Sequence, residues 1–363
     1  MIKDMGSARE SHAADRGAGE PRSQALSTPS PDDTTAVGEA ALSEVRRLLT
    51  AWRTHEPGAR LGEDPEELHQ LRVTARRLDA TLGLFKEHLP AALLRARRTA
   101  KSLLRTLGAT RDLDVQLAGL AAYCQDLAQE ERTALEPLKD RLSQERARAH
   151  LRMLRALDSE ATRRWVQTLT SAIESPAAES GTDAATVTVA AIMPRRVRRR
   201  FRRLRKAVKQ LRGNSSMDDY HKVRRRAKQL RYALESGVFT YGKPAEEMLK
   251  ALRRLQDRLG TQQDAYMAHQ HLTRLAADPA CALPPATLFL MGRLAAHHSK
   301  VTAEARATVT RCWRKVRGRR WKALRSRLGE FEHRLPGAPR ISPANEVLAV
   351  SSPLAAEERP LSH

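Results

Sequence analysis

Between about residues 39 and 334 apolar side chains recur every three or four positions, and no stretch sustains the period-two alternation of β-formers that a strand needs. Leu68, Leu71, Ala75, Leu78 and Leu82 form one such stripe. The pattern predicts helices over roughly 39–54, 64–87, 90–109, 112–129, 131–157 and 160–174. A second series follows at roughly 195–212, 217–238, 244–260, 264–276, 285–315 and 318–333. Pro65 after Asp64 suits the first turn of a helix, and Asp218 suits an N-cap. Gly108 and Gly260 suit left-handed C-terminal caps. Residues 1–38 and 335–363 have no hydrophobic period and read as a disordered arm and tail. The stretch ESPAAESGTDAATV, residues 174–187, reads as linker.

The two series repeat each other. EELHQLRVTARRLDATL (66–82) aligns without gaps onto DDYHKVRRRAKQLRYAL (218–234), pairing His69 with His221, Arg72 with Arg224, Ala75 with Ala227 and Leu78 with Leu230. The same offset carries Leu107-Gly108 onto Leu259-Gly260, Asp112 onto Asp264, and Val45, Leu49, Trp52 onto Val197, Phe201, Leu204. Arg-Arg-Trp at 163–165 returns at 319–321, shifted by four further residues as an insertion would shift it. The expected fold is therefore all-α: two tandem helical bundle units, 39–175 and 195–334, joined by a linker at 176–194 and related by a pseudo-two-fold axis.

Composition sharpens this picture. Ala, Leu, Arg and Glu dominate, aromatics make up only 4%, and 65 Lys and Arg against 42 Asp and Glu leave a net charge of +23. Straight side chains favour helix, and a charge this large destabilises a compact fold by self-repulsion unless a polyanion offsets it. The alternative is a merely soluble basic surface. Cys124, Cys281 and Cys312 are far apart with no CxxC spacing, which fits small hydrophobes in a reducing compartment. With no apolar run of about 18 residues and no secretory signal, the sequence points to the cytoplasm and away from the membrane.

Candidate chemistry concentrates on the repeated helix. His69, Arg72 and Arg76, with Arg77 adjacent, run beside the apolar stripe of the first copy. His221, Arg224, Lys228 and Arg231, with Arg225 and Arg226 adjacent, do so in the second. Cations one turn apart repel, so such a row opposes the helix unless anions lie over it. The competing reading makes the histidines core residues and lets the arginines snorkel to water. Matched polar residues in both copies favour the binding reading. Lys101 and Arg105 on the third helix, with Lys250, Arg253, Arg254 and Arg258 on its counterpart, extend the basic set. Residues 195–212 hold eleven cations and no acid, and 311–327 are similarly dense. These runs also suit nucleic acid, although no reading motif accompanies them. Asp112, Asp114 and Asp264 read as helix caps or as partners for nearby arginines.

Signals for catalysis are weak. There is no GxxxxGK[ST], HExxH, GxSxG or GxGxxG. His269 with His271, and His297 with His298, are spaced so that a helix points them apart, so no metal or cofactor is implied; a metal or phosphate enzyme using the paired histidines is the remoter alternative.

HQLRVTARRLDATLGLF (69–85) followed by LLRTLGATRDLDV (103–115) resembles the first half of a CHAD domain, the conserved histidine α-helical domain. HKVRRRAKQLRYALE (221–235) followed by LRRLQDRLGTQQDAYM (252–267) resembles its second half. The resemblance covers roughly 39–334 and implies basic residues around a central groove, binding of inorganic polyphosphate, and association with polyphosphate granules in bacteria. Residue by residue it assigns His69, His221, Arg72, Arg76, Arg77, Arg224, Lys228 and Arg231. Asp79 stands where relatives often carry a cation, so the first half is expected to contribute less binding. The ExExK strand of the fused CYTH triphosphatase module of many relatives is not found, which argues against hydrolysis. A bare phosphate chain needs closely spaced cations and no stacking platforms, whereas single-stranded nucleic acids usually need aromatics.

Overall fold

A computed structural model describes residues 35–174, 187–236 and 241–334. Ten α-helices account for nearly all of them: α1 (Val37–Leu61), α2 (Pro65–Leu84), α3 (Ala91–Cys124), α4 (Gln129–Leu157), α5 (Glu160–Glu174), α6 (Val189–Gln210), α7 (Met217–Glu235), α8 (Lys243–Ala277), α9 (Pro285–Lys315) and α10 (Trp321–Arg334). Wider helical turns at Val316–Arg320 join α9 to α10, with a kink at Gly318. Apart from one antiparallel bridge, Ala36 to Thr188, the described residues hold no strand. That bridge ties the start of α1 to the start of α6.

Helix boundaries follow the local chemistry in most places. Asp64 accepts a hydrogen bond from the Glu66 amide at 2.8 Å, with Pro65 in the first turn, as the sequence suggests. At α7 the cap is Ser216, closing a capping box with Asp219, rather than Asp218. α6 begins at Val189 and α1 at Val37, so the last part of the expected linker and the last residues of the expected arm are helix; the arm before residue 35, the tail and most of the linker lie outside the described residues.

The main departure concerns Gly108 and Gly260. Neither ends a helix: the pairs of helices expected on either side fuse into the long α3 and α8, and both glycines are buried within them. A helical glycine costs about 1 kcal/mol relative to alanine, but Leu103, Leu107 and Leu113 before and after Gly108 are buried and hold the helix through it. Asp112 and Asp264 are accordingly mid-helix residues, not caps.

One core runs through both halves. Trp52, Leu71, Leu78 and Leu93 belong to the same buried cluster as Phe201, Leu230, Leu234 and Leu255. Trp165 packs edge-on to Trp52 at 5.0 Å, and Trp321 stacks on Phe201 at 3.6 Å, so each Arg-Arg-Trp delivers its indole to its own half. Buried Arg196 on α6 donates to the Leu84 carbonyl at the end of α2 and pairs with Glu87 at 3.1 Å. A second core, with Leu113, Leu138 and Leu142 against Leu272, Leu290 and Leu294, closes the far ends of the α3–α4 and α8–α9 hairpins. There His271 bridges Gln116 at 2.6 Å and Glu145 at 2.9 Å. Two halves joined by both cores leave the polar flanks of α2, α6 and α7 facing a shared space.

Candidate binding cavity

That space is a cavity of about 1650 Å³ lined by fifteen Lys and Arg side chains against seven carboxylates. The apolar stripes of α2 and α7 turn Leu71, Leu78, Leu230 and Leu234 into the core. One position along each helix, Arg72, Arg76 and Arg77 from α2 meet His221, Arg224, Arg225 and Lys228 from α7. α6 contributes Arg199, Arg200 and Arg203, on the flank beside the core residues Val197, Phe201 and Leu204. Lys250 and Arg253 of α8 complete the rim.

The electrostatics are those of cations crowded away from water. Burial, reinforced by Arg76, Arg224, Arg72 and Arg231, pushes the Lys228 ammonium well below the ordinary lysine range. Burial brings Arg200 down to about 10, with Arg199, Arg196, Arg203 and Arg97 adding to the effect. Arg72 is lowered by burial and by Arg76. Burial raises the carboxyls of Asp112 and Asp264 above the usual range, while Arg72 and Arg224 beside Asp112, and Arg224 above all beside Asp264, pull the other way. An anion placed here would reverse the penalty on the cations. The Nε atoms of Arg76 and Arg77, the Tyr232 hydroxyl and the Gln263 carbonyl oxygen are all buried without hydrogen-bond partners.

Part of the charge is already spoken for. Arg47 pairs with Glu44 at 2.6 Å, Arg97 with Asp79 at 2.7 Å and Arg77 with Glu235 at 3.8 Å. Asp79, flagged in the sequence as a weak point of the first half, holds Arg97 at the wall. Asp114 does not face the cavity; it is buried and accepts from Arg146 at 2.7 Å, which also donates to the Gly62 carbonyl at 2.8 Å.

Of the twelve binding residues expected from sequence, seven line the cavity: Arg72, Arg76, Arg77, His221, Arg224, Arg225 and Lys228. Five do not. His69 is half-buried beside it, and Arg231 is buried, 3.5 Å from Glu235 and 5.1 Å from the Tyr232 ring centre. Lys101, Arg105 and Arg254 point to solvent because their positions fall opposite the buried residues of α3 and α8. The histidines are not core residues: His221 is exposed and His69 is half-buried. The expected binding set omitted Arg199, Arg200 and Arg203 because the run 195–212 is basic all round; its apolar phase separates the cavity flank from the other. Arg46 and Arg47 carried no sequence signal.

The sequence matches the family model described as CHAD domain over residues 44–273, well over half of the chain. Among solved structures, the crystal structure of the CHAD domain from the plant Ricinus communis is 24% identical with a TM-score of 0.59, the match covering 83% of this chain and 94% of that one. PptA from Streptomyces chartreusis is 20% identical with a TM-score of 0.58, covering 77% of this chain and 100% of that one. Both likenesses concern the fold. No curated protein matches the sequence.

Proposed function

This chain belongs to the CHAD-domain family, which is associated with polyphosphate binding, and we propose that it binds inorganic polyphosphate in the cavity between α2, α6 and α7 without hydrolysing it. The observation that carries this reading is the crowding of cations in one cavity: Lys228 stands among Arg72, Arg76, Arg224 and Arg231, which together with burial disfavour its charge, and a bound anion would relieve that. Polyphosphate supplies closely spaced charge with no base to accommodate, and guanidinium forks match its oxygens two at a time. Binding of this kind holds the protein on polyphosphate granules in the cell.

Two quadruple variants test it. Arg72, Arg76, Arg224 and Lys228 changed to Gln remove the four cavity cations where α2 meets α7; Lys101, Arg105, Arg254 and Arg258 changed to Gln remove four solvent-facing cations. Two lost charge-assisted contacts at about 1.5 kcal/mol each already weaken binding roughly a hundredfold, so the first variant should fail to bind where the second binds nearly as the parent. Equal losses would mean that net charge, not the cavity, does the binding. A phosphate-release assay on the parent, with and without divalent metal, checks that the polymer survives. A fluorescent fusion of residues 39–334 should mark granules and turn diffuse in cells unable to make the polymer.

A further inference from the structure

Phe201 anchors a second basic region on the opposite side of α6 from the cavity. Trp321 stacks on it at 3.6 Å and Trp313 lies 5.8 Å away, so the end of α9, the wide turns at 316–320 and the start of α10 all lie against the middle of α6. Arg198 on this flank pairs with Glu332 of α10, whereas the cavity takes Arg199, Arg200 and Arg203 from the other. None of residues 306–334 lines the cavity. Between Glu304 and Glu330 the chain carries ten cations and no carboxylate. Seven of them, Arg311, Arg314, Lys315, Arg317, Arg319, Lys322 and Arg325, are exposed and make no ion pair among the described residues.

On α4 and α5 the surface cations are set among acids. Lys139 pairs with Glu136, Arg141 with Glu145, and Arg163 and Arg164 with Glu160, each one turn away on the same helix. That interspersion is the ordinary way to keep a helix face stable. Its suspension from Arg311 to Arg325 leaves a belt of exposed cations with no acid among them, whose repulsion a polyanion would relieve.

We propose that this belt binds the phosphate backbone of double-stranded nucleic acid, independently of the cavity. Shape separates the two surfaces. A cavity of about 1650 Å³ cannot take in a double helix whose major groove alone is about 12 Å wide, while exposed side chains outside the cavity can lie along one. Stiffness favours the duplex over a second stretch of flexible phosphate chain: exposed side chains do not enclose a ligand, and a duplex already presents one charge per about 1.7 Å of axis without being ordered on binding. No base-reading element accompanies the belt, so the binding is independent of sequence. A molecule with both surfaces engaged holds a phosphate chain and a duplex together.

The test uses the full chain and a labelled mixed-sequence DNA duplex, read by fluorescence anisotropy across a salt series, with and without saturating short-chain polyphosphate. The variant Arg317→Gln, Arg319→Gln, Lys322→Gln, Arg325→Gln touches only exposed side chains. It should weaken duplex binding at least tenfold near about 150 mM salt and flatten the log–log salt slope by about 3–4, close to one counterion per lost contact. It should leave polyphosphate affinity within about twofold. Duplex binding that survives this variant, or that short polyphosphate displaces one for one, overturns the proposal. Loss of polyphosphate rather than duplex affinity overturns it too, by assigning the belt to a second phosphate chain. A parent that binds duplex through the belt but no polyphosphate would sink the cavity reading and leave this one standing.

Discussion

The guanidinium of Arg72 reaches so close to Gly108 that a Cβ built on that glycine would lie 2.5 Å from Nη1. In the second half Arg224 approaches Gly260 in the same way, with Nη2 at 3.3 Å from the corresponding Cβ position. Each glycine sits inside a long helix, one turn before the carboxylate, Asp112 or Asp264, whose field acts on that arginine. The Leu-Gly motif thus serves the cavity: it opens a notch in α3 and α8 through which an arginine of the neighbouring helix is set.

Gly108→Ala should therefore separate stability from binding. Alanine favours the helix by about 1 kcal/mol, and the atom it meets is the flexible end of Arg72, which can swing aside. Denaturant unfolding should show unchanged or slightly raised stability, while polyphosphate affinity falls about tenfold, the value of one charged contact near the low end of its range. Gly260→Ala, with more room, should do the same more weakly. A large loss of stability in Gly108→Ala would mean the notch is a packing device only.

How much of this was legible before the structure depended on phase. The repeat and the α2 and α7 rows were readable because their apolar positions fix which flank is polar, and seven of the twelve expected residues line the cavity as a result. Lys101, Arg105 and Arg254 were taken as neighbours on grounds of charge alone, although Leu103, Leu252 and Leu255 already placed them away from the core side. The glycines misled because a Leu-Gly pair looks the same at a helix end and at a notch; only the arginine from another helix distinguishes them. The cap reading of Asp112 and Asp264 inherited that error, while their reading as partners for nearby arginines agrees with the pull of Arg72 and Arg224 on them.

Lys228 should make binding take up protons. Its free-state pKa is depressed by burial and four guanidinia, and a bound polyanion raises it. Affinity is then full below the depressed value and falls as pH rises from there towards the ordinary lysine value of about 10.4. Calorimetry in buffers of different ionisation enthalpy should register this uptake, and Lys228→Met should abolish it. The ligand-free protein shows the opposite trend: the unfolded chain holds the Lys228 proton over that window, so stability rises with pH through it. Lys228→Met should accordingly stabilise the free protein near neutral pH, by about 1–4 kcal/mol if the methionine packs as buried apolar replacements of charge do. A destabilised free variant would mean that Lys228 is tied down by groups other than those crowding it.

Asp112 and Asp264 compete with phosphate for Arg72 and Arg224. Asp112→Asn with Asp264→Asn keeps size and hydrogen-bonding capacity while removing both charges. Polyphosphate affinity should rise several-fold, and the free protein should lose roughly 1–2 kcal/mol of stability as the cavity cations lose their internal counter-charge. Equilibrium unfolding and binding measured on the same preparation decide it; a fall in affinity would instead make the carboxylates positioning residues that aim the two arginines.

The two histidines, equivalent in sequence, should behave differently. His221 is exposed and lines the cavity, whereas His69 is half-buried and outside its lining. A ring N–H of His221 can donate to an oxygen of a phosphate chain in the cavity. His221→Ala should weaken polyphosphate binding about fivefold, the value of one hydrogen bond of about 1 kcal/mol, and His221→Gln, which keeps a donor, should restore most of it. His69→Ala should leave affinity as it is and alter, at most, stability. If His69→Ala weakens binding and His221→Ala does not, the ligand enters by the other side of α2, and the lining of the cavity is not the path of the chain.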